Sequence, residues 1–168
     1  MAFVVVGGVP GSGKSTAMLP YRNVPGIHVV DPDRLRPLLR RRPLVHTVHQ
    51  ALVWGAVLTG PSLVGTLLIQ DTATRTRRRE ALLRAALARG WDTHLILIDV
   101  TREQARAGQA ARGRISPPAA FDRHWRRWTR LRDNLGSVGV TAELVTRDEV
   151  AGVLEQILRD AGVLSPQS

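Results

Sequence analysis

A run of valines, Val4-Val5-Val6, breaks into Gly7-Gly8-Val9-Pro10-Gly11-Ser12-Gly13-Lys14-Ser15-Thr16, and few backbones accommodate that order of residues. The uninterrupted β-branched stretch reads as a strand covered on both faces, as in a parallel sheet. The glycines let successive N–H groups turn inward into a nest at the start of a helix, where phosphate oxygens are held. Lys14 is the one lysine among 24 lysines and arginines. Where arginine fills every other basic position, a compact ammonium on a flexible stem marks a place that must reach a phosphate. The expected nucleotide-binding set is Gly11, Ser12, Gly13, Lys14, Ser15 and Thr16. Lys14 should reach the β- and γ-phosphates of ATP or another NTP, and the Ser15 hydroxyl should hold Mg²⁺.

The remaining sequence alternates between strand and helix patterns. Strands are expected at Phe3–Val6, Ile27–Val30, Leu67–Ile69, His94–Ile98 and Ala142–Val145. Helices are expected at Ser15–Leu19, Arg34–Arg41, Val45–Leu58, Arg77–Arg89, Glu103–Arg112, Pro118–Leu135 and Glu149–Ala161. Such alternation implies an α/β fold of the P-loop NTPase type, a five-stranded parallel sheet with helices on both faces and ligands at the strands' carboxyl ends. The 168 residues, 43% of them apolar, suit one domain over residues 1–168 with a helical lid at about 102–118. The absence of cysteine excludes disulfides and thiolate metal sites. No apolar run is long enough for a membrane span, and Met1–Val6 lacks the basic flank of a signal peptide, so a cytoplasmic protein without membrane contact is expected. A net charge of +10 favours polyanionic partners.

Acidic residues follow two of the strands. Val30-Asp31-Pro32-Asp33-Arg34-Leu35-Arg36 places two carboxylates where an acceptor would approach the γ-phosphate, and a carboxylate there can take a hydroxyl proton. Asp33 also stands where an N-cap for Arg34 would stand. After the third strand, Gln70-Asp71-Thr72 offers a carboxylate for Mg²⁺ or its water. Arg75, Arg77, Arg78 and Arg79 then crowd a helix start, where the dipole disfavours cations and a nearby anion would relieve the cost. Arg102, Arg106, Arg112 and Arg114 lie on a segment broken by Gly108, Gly113 and Pro117-Pro118, as suits a mobile cover that stabilises a transferring phosphoryl group.

Two further segments carry possible contacts. From Pro118 to Leu135, Phe121, Trp125, Trp128, Leu131 and Leu135 form a stripe expected in the core, opposite an arginine face that is the better candidate for nucleic-acid contact. His46 and His49 lie three residues apart and point to acceptor contact or packing; a metal site lacks a third ligand.

Together, the glycine loop, Asp33-x-x-Arg36, Asp71-Thr72 before an arginine-rich helix, and Gly90-Trp91 before a strand ending Asp99-Val100 resemble the kinase domain of polynucleotide 5′-kinases over about residues 3–130. The resemblance implies that Asp33 is the general base for a 5′-hydroxyl and that Arg36 contacts the acceptor's phosphate. It implies too that Asp71 assists Mg²⁺ or the phosphate-binding network and that Arg112 is the lid arginine, with Gly108 standing where the family often has another. The expected donor set therefore adds Arg112 and Arg114, the catalytic set is Lys14, Asp33, Arg36 and Arg112, and the acceptor set is Asp33, Arg36, Asp71, Thr72, Arg75 and Arg78. The expected activity is transfer of the γ-phosphoryl of ATP to a DNA or RNA 5′-OH. A kinase of a nucleoside, sugar or antibiotic hydroxyl, and an ATP-dependent binding module or switch, are the alternatives.

Overall fold

In the computed structural model, the described residues are 1–39, 42–72, 76–113, 115–135 and 140–164. Five strands, β1 (Ala2–Gly7), β2 (Ile27–Val30), β3 (Thr66–Gln70), β4 (Asp92–Ile98) and β5 (Thr141–Val145), form one sheet in the order β2-β3-β1-β4-β5. Every pairing is parallel, with Val4 opposite Leu68 on one side and His94 on the other. β1 lies at the centre, and all six of its residues are buried. Their continuous apolar character follows from that position, because helices cover both faces. The sheet order sets the ends of β1 and β3 side by side and puts β2 beyond β3, so the glycine loop, Asp71 and the Asp31–Asp33 segment converge. The chain crosses from β3 over β1 to β4, and a crevice opens at the carboxyl ends where that crossing occurs.

The helices are α1 (Lys14–Ala17), α2 (Pro32–Leu35), α3 (Arg42–Thr59), α4 (Pro61–Val64), α5 (Thr76–Ala88), α6 (Arg102–Ala110), α7 (Pro118–Arg132) and α8 (Val150–Asp160). Two expectations are corrected. The helix expected over 34–41 ends at Leu35, since Pro37 brings no N–H to continue the ladder. The helix after the loop is one turn long and passes into a 3₁₀ segment at Leu19–Asn23, where Pro20 enforces the change.

The aromatic stripe of α7 belongs to the core as expected. Trp128, Phe121 and Leu131 are buried, and Trp125 stacks on Phe121 with centroids 6.1 Å apart. On the other side, Trp91 packs against Phe3 at 5.8 Å and its indole N–H donates to the Val57 carbonyl at 3.1 Å, tying α3 to the sheet. Among the described residues no helix is long and apolar enough to cross a membrane.

Candidate active site

The loop between β1 and α1 is held by its neighbours' backbones. A side-chain carbon on Gly11, which has φ +91°, would lie 2.1 Å from the Ala105 carbonyl oxygen, and one on Gly108 would lie 2.2 Å from the Gly11 oxygen. α6 therefore rests directly on the phosphate loop, and only glycine fits on either side of the contact. Gly108 thus has a packing reason to interrupt the arginine pattern. The buried Gln109 completes the joint: its Nε2 donates to the Pro10 carbonyl at 3.1 Å, and its Oε1 accepts the Ser116 N–H at 2.8 Å. From beyond β5, Arg147 reaches back and donates from its terminal nitrogen to the carbonyls of Gly11 at 3.0 Å and Gln104 at 3.4 Å.

Lys14 is buried under this frame. Its Nζ donates to the carbonyls of Gly8 and Val9 at 2.8 and 2.9 Å. Burial lowers its pKa to about 8, with Asp71 opposing the shift and the Arg112 guanidinium adding to it. The Ser15 hydroxyl donates to Gln70 Oε1 at 2.6 Å. Asp71 follows at once, its Oδ1 accepting the Thr72 N–H at 2.6 Å. Ser15, Gln70 and Asp71 line one cavity, and their hydroxyl, amide and carboxylate oxygens are hard donors of the kind that suits Mg²⁺ carried partly by substrate phosphates, so Ser15 and Asp71 would suit the expected ion. Arg112 crosses from the end of α6 and donates to the Thr16 hydroxyl at 2.9 Å.

At the end of β2 the sequence offered Asp33 both as the general base and as an N-cap, and the structure gives the capping role to Asp31. Asp31 is the N-cap of α2: its Oδ1 accepts the Asp33 N–H at 2.9 Å, and its Oδ2 is paired with Arg22 at 2.8 Å. Asp33 is thereby relieved of capping, and its carboxylate meets Arg36 Nε at 3.1 Å. His46 Nε2 lies 3.4 Å from Arg78, while His49 is buried beside the cavity. Burial lowers the His49 pKa, against the pull of Asp71, and keeps the ring neutral near pH 7. Among the described residues no group of three or more His, Cys, Asp or Glu side chains is arranged to hold a metal ion.

One cavity of about 620 Å³ joins these parts. Gly11, Gly13, Lys14, Ser15, Asp33, Arg36 and Arg112 line it, with Asp71 and Thr72 between the two sides. Ser12 is buried beneath the loop, Thr16 contacts Arg112 at its edge, and Arg78 stands behind His46. Arg75 and Arg114 lie outside the described residues. Arg106 is turned elsewhere, its guanidinium 5.2 Å from the Phe121 ring centroid. Three contributors escaped sequence reasoning. Gln70 was visible beside Asp71 at a strand end, whereas Gln109 and Arg147 carry no local signature.

No family model and no curated protein sequence matches the chain. Solved structures do. Kti12 of Chaetomium thermophilum, determined in complex with ADP-AlF3, is similar with a TM-score of 0.65 at 18% identity, over 97% of this chain and all of that one. The tunicamycin resistance protein of Deinococcus radiodurans aligns over 99% of both chains at 18% identity and a TM-score of 0.58. Deoxyadenosine kinase from M. mycoides, with bound dATP, aligns over 95% of this chain and all of that one at 10% identity and a TM-score of 0.60. The fold shared with these structures is the α/β P-loop NTPase fold with its five-stranded parallel sheet.

Proposed function

We propose that this chain is a Mg²⁺-dependent phosphotransferase that moves the γ-phosphoryl group of ATP or another NTP onto a hydroxyl, and that the acceptor is the 5′-OH end of a nucleic acid. One observation carries the reading: Asp33, released from capping by Asp31, lines the same cavity as Lys14 and Ser15. Lys14 exchanges its carbonyl partners for the phosphate oxygens of the donor. The acceptor oxygen attacks the γ-phosphorus, its proton passes to Asp33, and the bond to the β–γ bridging oxygen breaks with its electron pair leaving on the nucleoside diphosphate. Arg36 fixes the Asp33 carboxylate and offers its remaining donors to a phosphate of the acceptor. Arg112 bridges the charge that builds on the transferring group. Ser15 and Asp71 would hold Mg²⁺, which would neutralise charge at the phosphates.

The test is phosphate transfer from labelled ATP to oligonucleotides with free 5′-OH ends, beside a panel of nucleosides and sugars. Asp33→Asn is expected to lower turnover about 10²- to 10⁴-fold while nucleotide affinity holds. Turnover near the wild-type rate in that variant removes Asp33 from the mechanism.

A second reading, a kinase of a small-molecule hydroxyl, is favoured by similarity to a deoxyadenosine kinase and a tunicamycin resistance protein. The cavity volume also falls in the range of about 300 to 1,000 Å³ usual for small-ligand sites. Salt separates the two: the KM of a polyanionic acceptor climbs steeply with ionic strength and that of a neutral acceptor does not. ATP binding without transfer to any hydroxyl would leave the switch reading.

A further inference from the structure

Helix α7 carries four arginines that the active site does not use. Arg123, Arg126, Arg127 and Arg130 are all exposed. Their spacing of three, four and seven residues puts them on one helical face, opposite the buried Phe121, Trp128 and Leu131. Among the described residues none of the four has an ion-pair partner, although arginines around them do: Arg102 pairs with Asp122, and Arg132 lies 3.7 Å from Asp99 and from Asp133. Asp122 is the only acid in the helix, and Arg102 occupies it. Like charges at these spacings repel and weaken a helix.

Position supplies the missing partner. Ala120 and His124, on the same helix, line the cavity that holds Lys14 and Asp33. Arg123 and Arg127 flank His124 along the helix, so the stripe begins at the cavity's edge and leads outward. At 1.5 Å per residue, Arg123 to Arg130 spans about 10 Å, which at about 3.4 Å per stacked nucleotide matches about three nucleotides. We propose that this face is a docking track for the phosphate backbone of a single-stranded nucleic acid whose 5′ end enters the cavity. The proposal rests on the polynucleotide reading above and extends it to the body of the acceptor. Guanidinium groups suit phosphate oxygens because their paired N–H donors match two oxygens at once. No large apolar side chain of α7 is exposed, unlike a helix that inserts into a lipid surface. Trp128 is buried and Trp125 is stacked on Phe121, which leaves backbone charge as the basis of contact.

The experiment compares the full chain with a variant carrying R123Q, R126Q, R127Q and R130Q, and with one carrying lysine at the same four positions. Binding of a single-stranded 5′-OH 12-mer is followed against salt, with ATP affinity and the KM of a nucleoside 3′-monophosphate as controls. The glutamine variant is expected to bind the 12-mer at least about tenfold more weakly and to lose about 2 to 3 from the slope of log K against log salt, since each single-strand phosphate contact contributes about 0.7. The lysine variant keeps most of the slope. Both keep wild-type ATP affinity and KM for the mononucleotide, which fills the cavity without reaching the four arginines outside it. An unchanged slope in the glutamine variant overturns the track. So does a wild-type protein that binds a polyglutamate peptide and not the 12-mer, which would make the stripe a site for acidic protein. If the 12-mer binds through these arginines and is never phosphorylated, the track stands and the kinase reading falls.

Discussion

The two halves of the cavity, which the proposed reaction assigns to donor and acceptor, are built by different means. The donor half is fixed through main-chain atoms: α6 sits on the loop at the Gly11–Gly108 contact, Gln109 holds Pro10, and Arg147 holds the Gly11 carbonyl. The acceptor half is fixed through side-chain pairs, Asp33 with Arg36 and His46 with Arg78. Main-chain anchoring suits a ligand that never changes, and a triphosphate presents the same oxygens whatever base it carries. Side-chain pairs can be exchanged one at a time without disturbing the sheet, which suits the part of a site that selects its acceptor. Damage to the donor half should therefore act on every reaction alike, and damage to the acceptor half should depend on the acceptor offered.

Among the changes that test this division, the largest effect is expected at Lys14. Lys14→Met removes the charge aimed at the phosphates and should lower transfer about 10²- to 10³-fold for oligonucleotide and nucleoside acceptors equally. A loss that differs sharply between acceptors would break the division. Next comes Gly108→Ala, whose new carbon meets the Gly11 carbonyl oxygen at 2.2 Å. It should destabilise the fold by about 1 to 3 kcal/mol in a thermal or denaturant melt and weaken nucleotide binding. Gly108→Arg, made to restore the arginine of the polynucleotide 5′-kinase pattern, should do worse and not better. Arg36→Ala should act on one side only, raising KM about tenfold for a phosphate-bearing acceptor, the scale of one charged hydrogen bond. A neutral nucleoside should see little of that rise, and an equal rise for both would assign Arg36 to holding Asp33 alone.

The same asymmetry explains what could be read without a structure. The five strands and the loop were legible because continuous apolar runs and a glycine-spaced lysine are local patterns, each sufficient by itself. The resemblance named Asp33 as the base, but that Asp31 and not Asp33 caps α2 was not legible, because both fit turn chemistry and Asp31 is held in place by Arg22, which comes from the 3₁₀ segment before β2. Gly108 read as a missing arginine for a similar reason: its packing partner lies in the glycine loop, far away in sequence. Arg147 joins the site across 136 residues, and no window of sequence holds both ends of that hydrogen bond. What the sequence conceals here is the set of contacts between elements.

The smallest effect is a proton. Lys14 has a pKa of about 8 in the free protein because burial disfavours its ammonium form. A bound triphosphate favours that form and raises the value again. Nucleotide binding above pH 8 should therefore take up about half a proton or more, and affinity should fall as pH rises beyond 8; at pH 7 Lys14 is already protonated and contributes no uptake. Calorimetry at pH 8.5 in two buffers of different ionisation heat measures this directly. The stability of the free protein follows the opposite course. The unfolded chain holds this proton up to about pH 10.5 and the folded chain only to about 8, so the unfolded state binds more protons between those values. Over that window the wild type should gain stability relative to Lys14→Met as pH rises. Absence of both the uptake and the gain would mean that the ammonium stays solvated, and the donor half would lose the tight main-chain enclosure that sets it apart from the acceptor half.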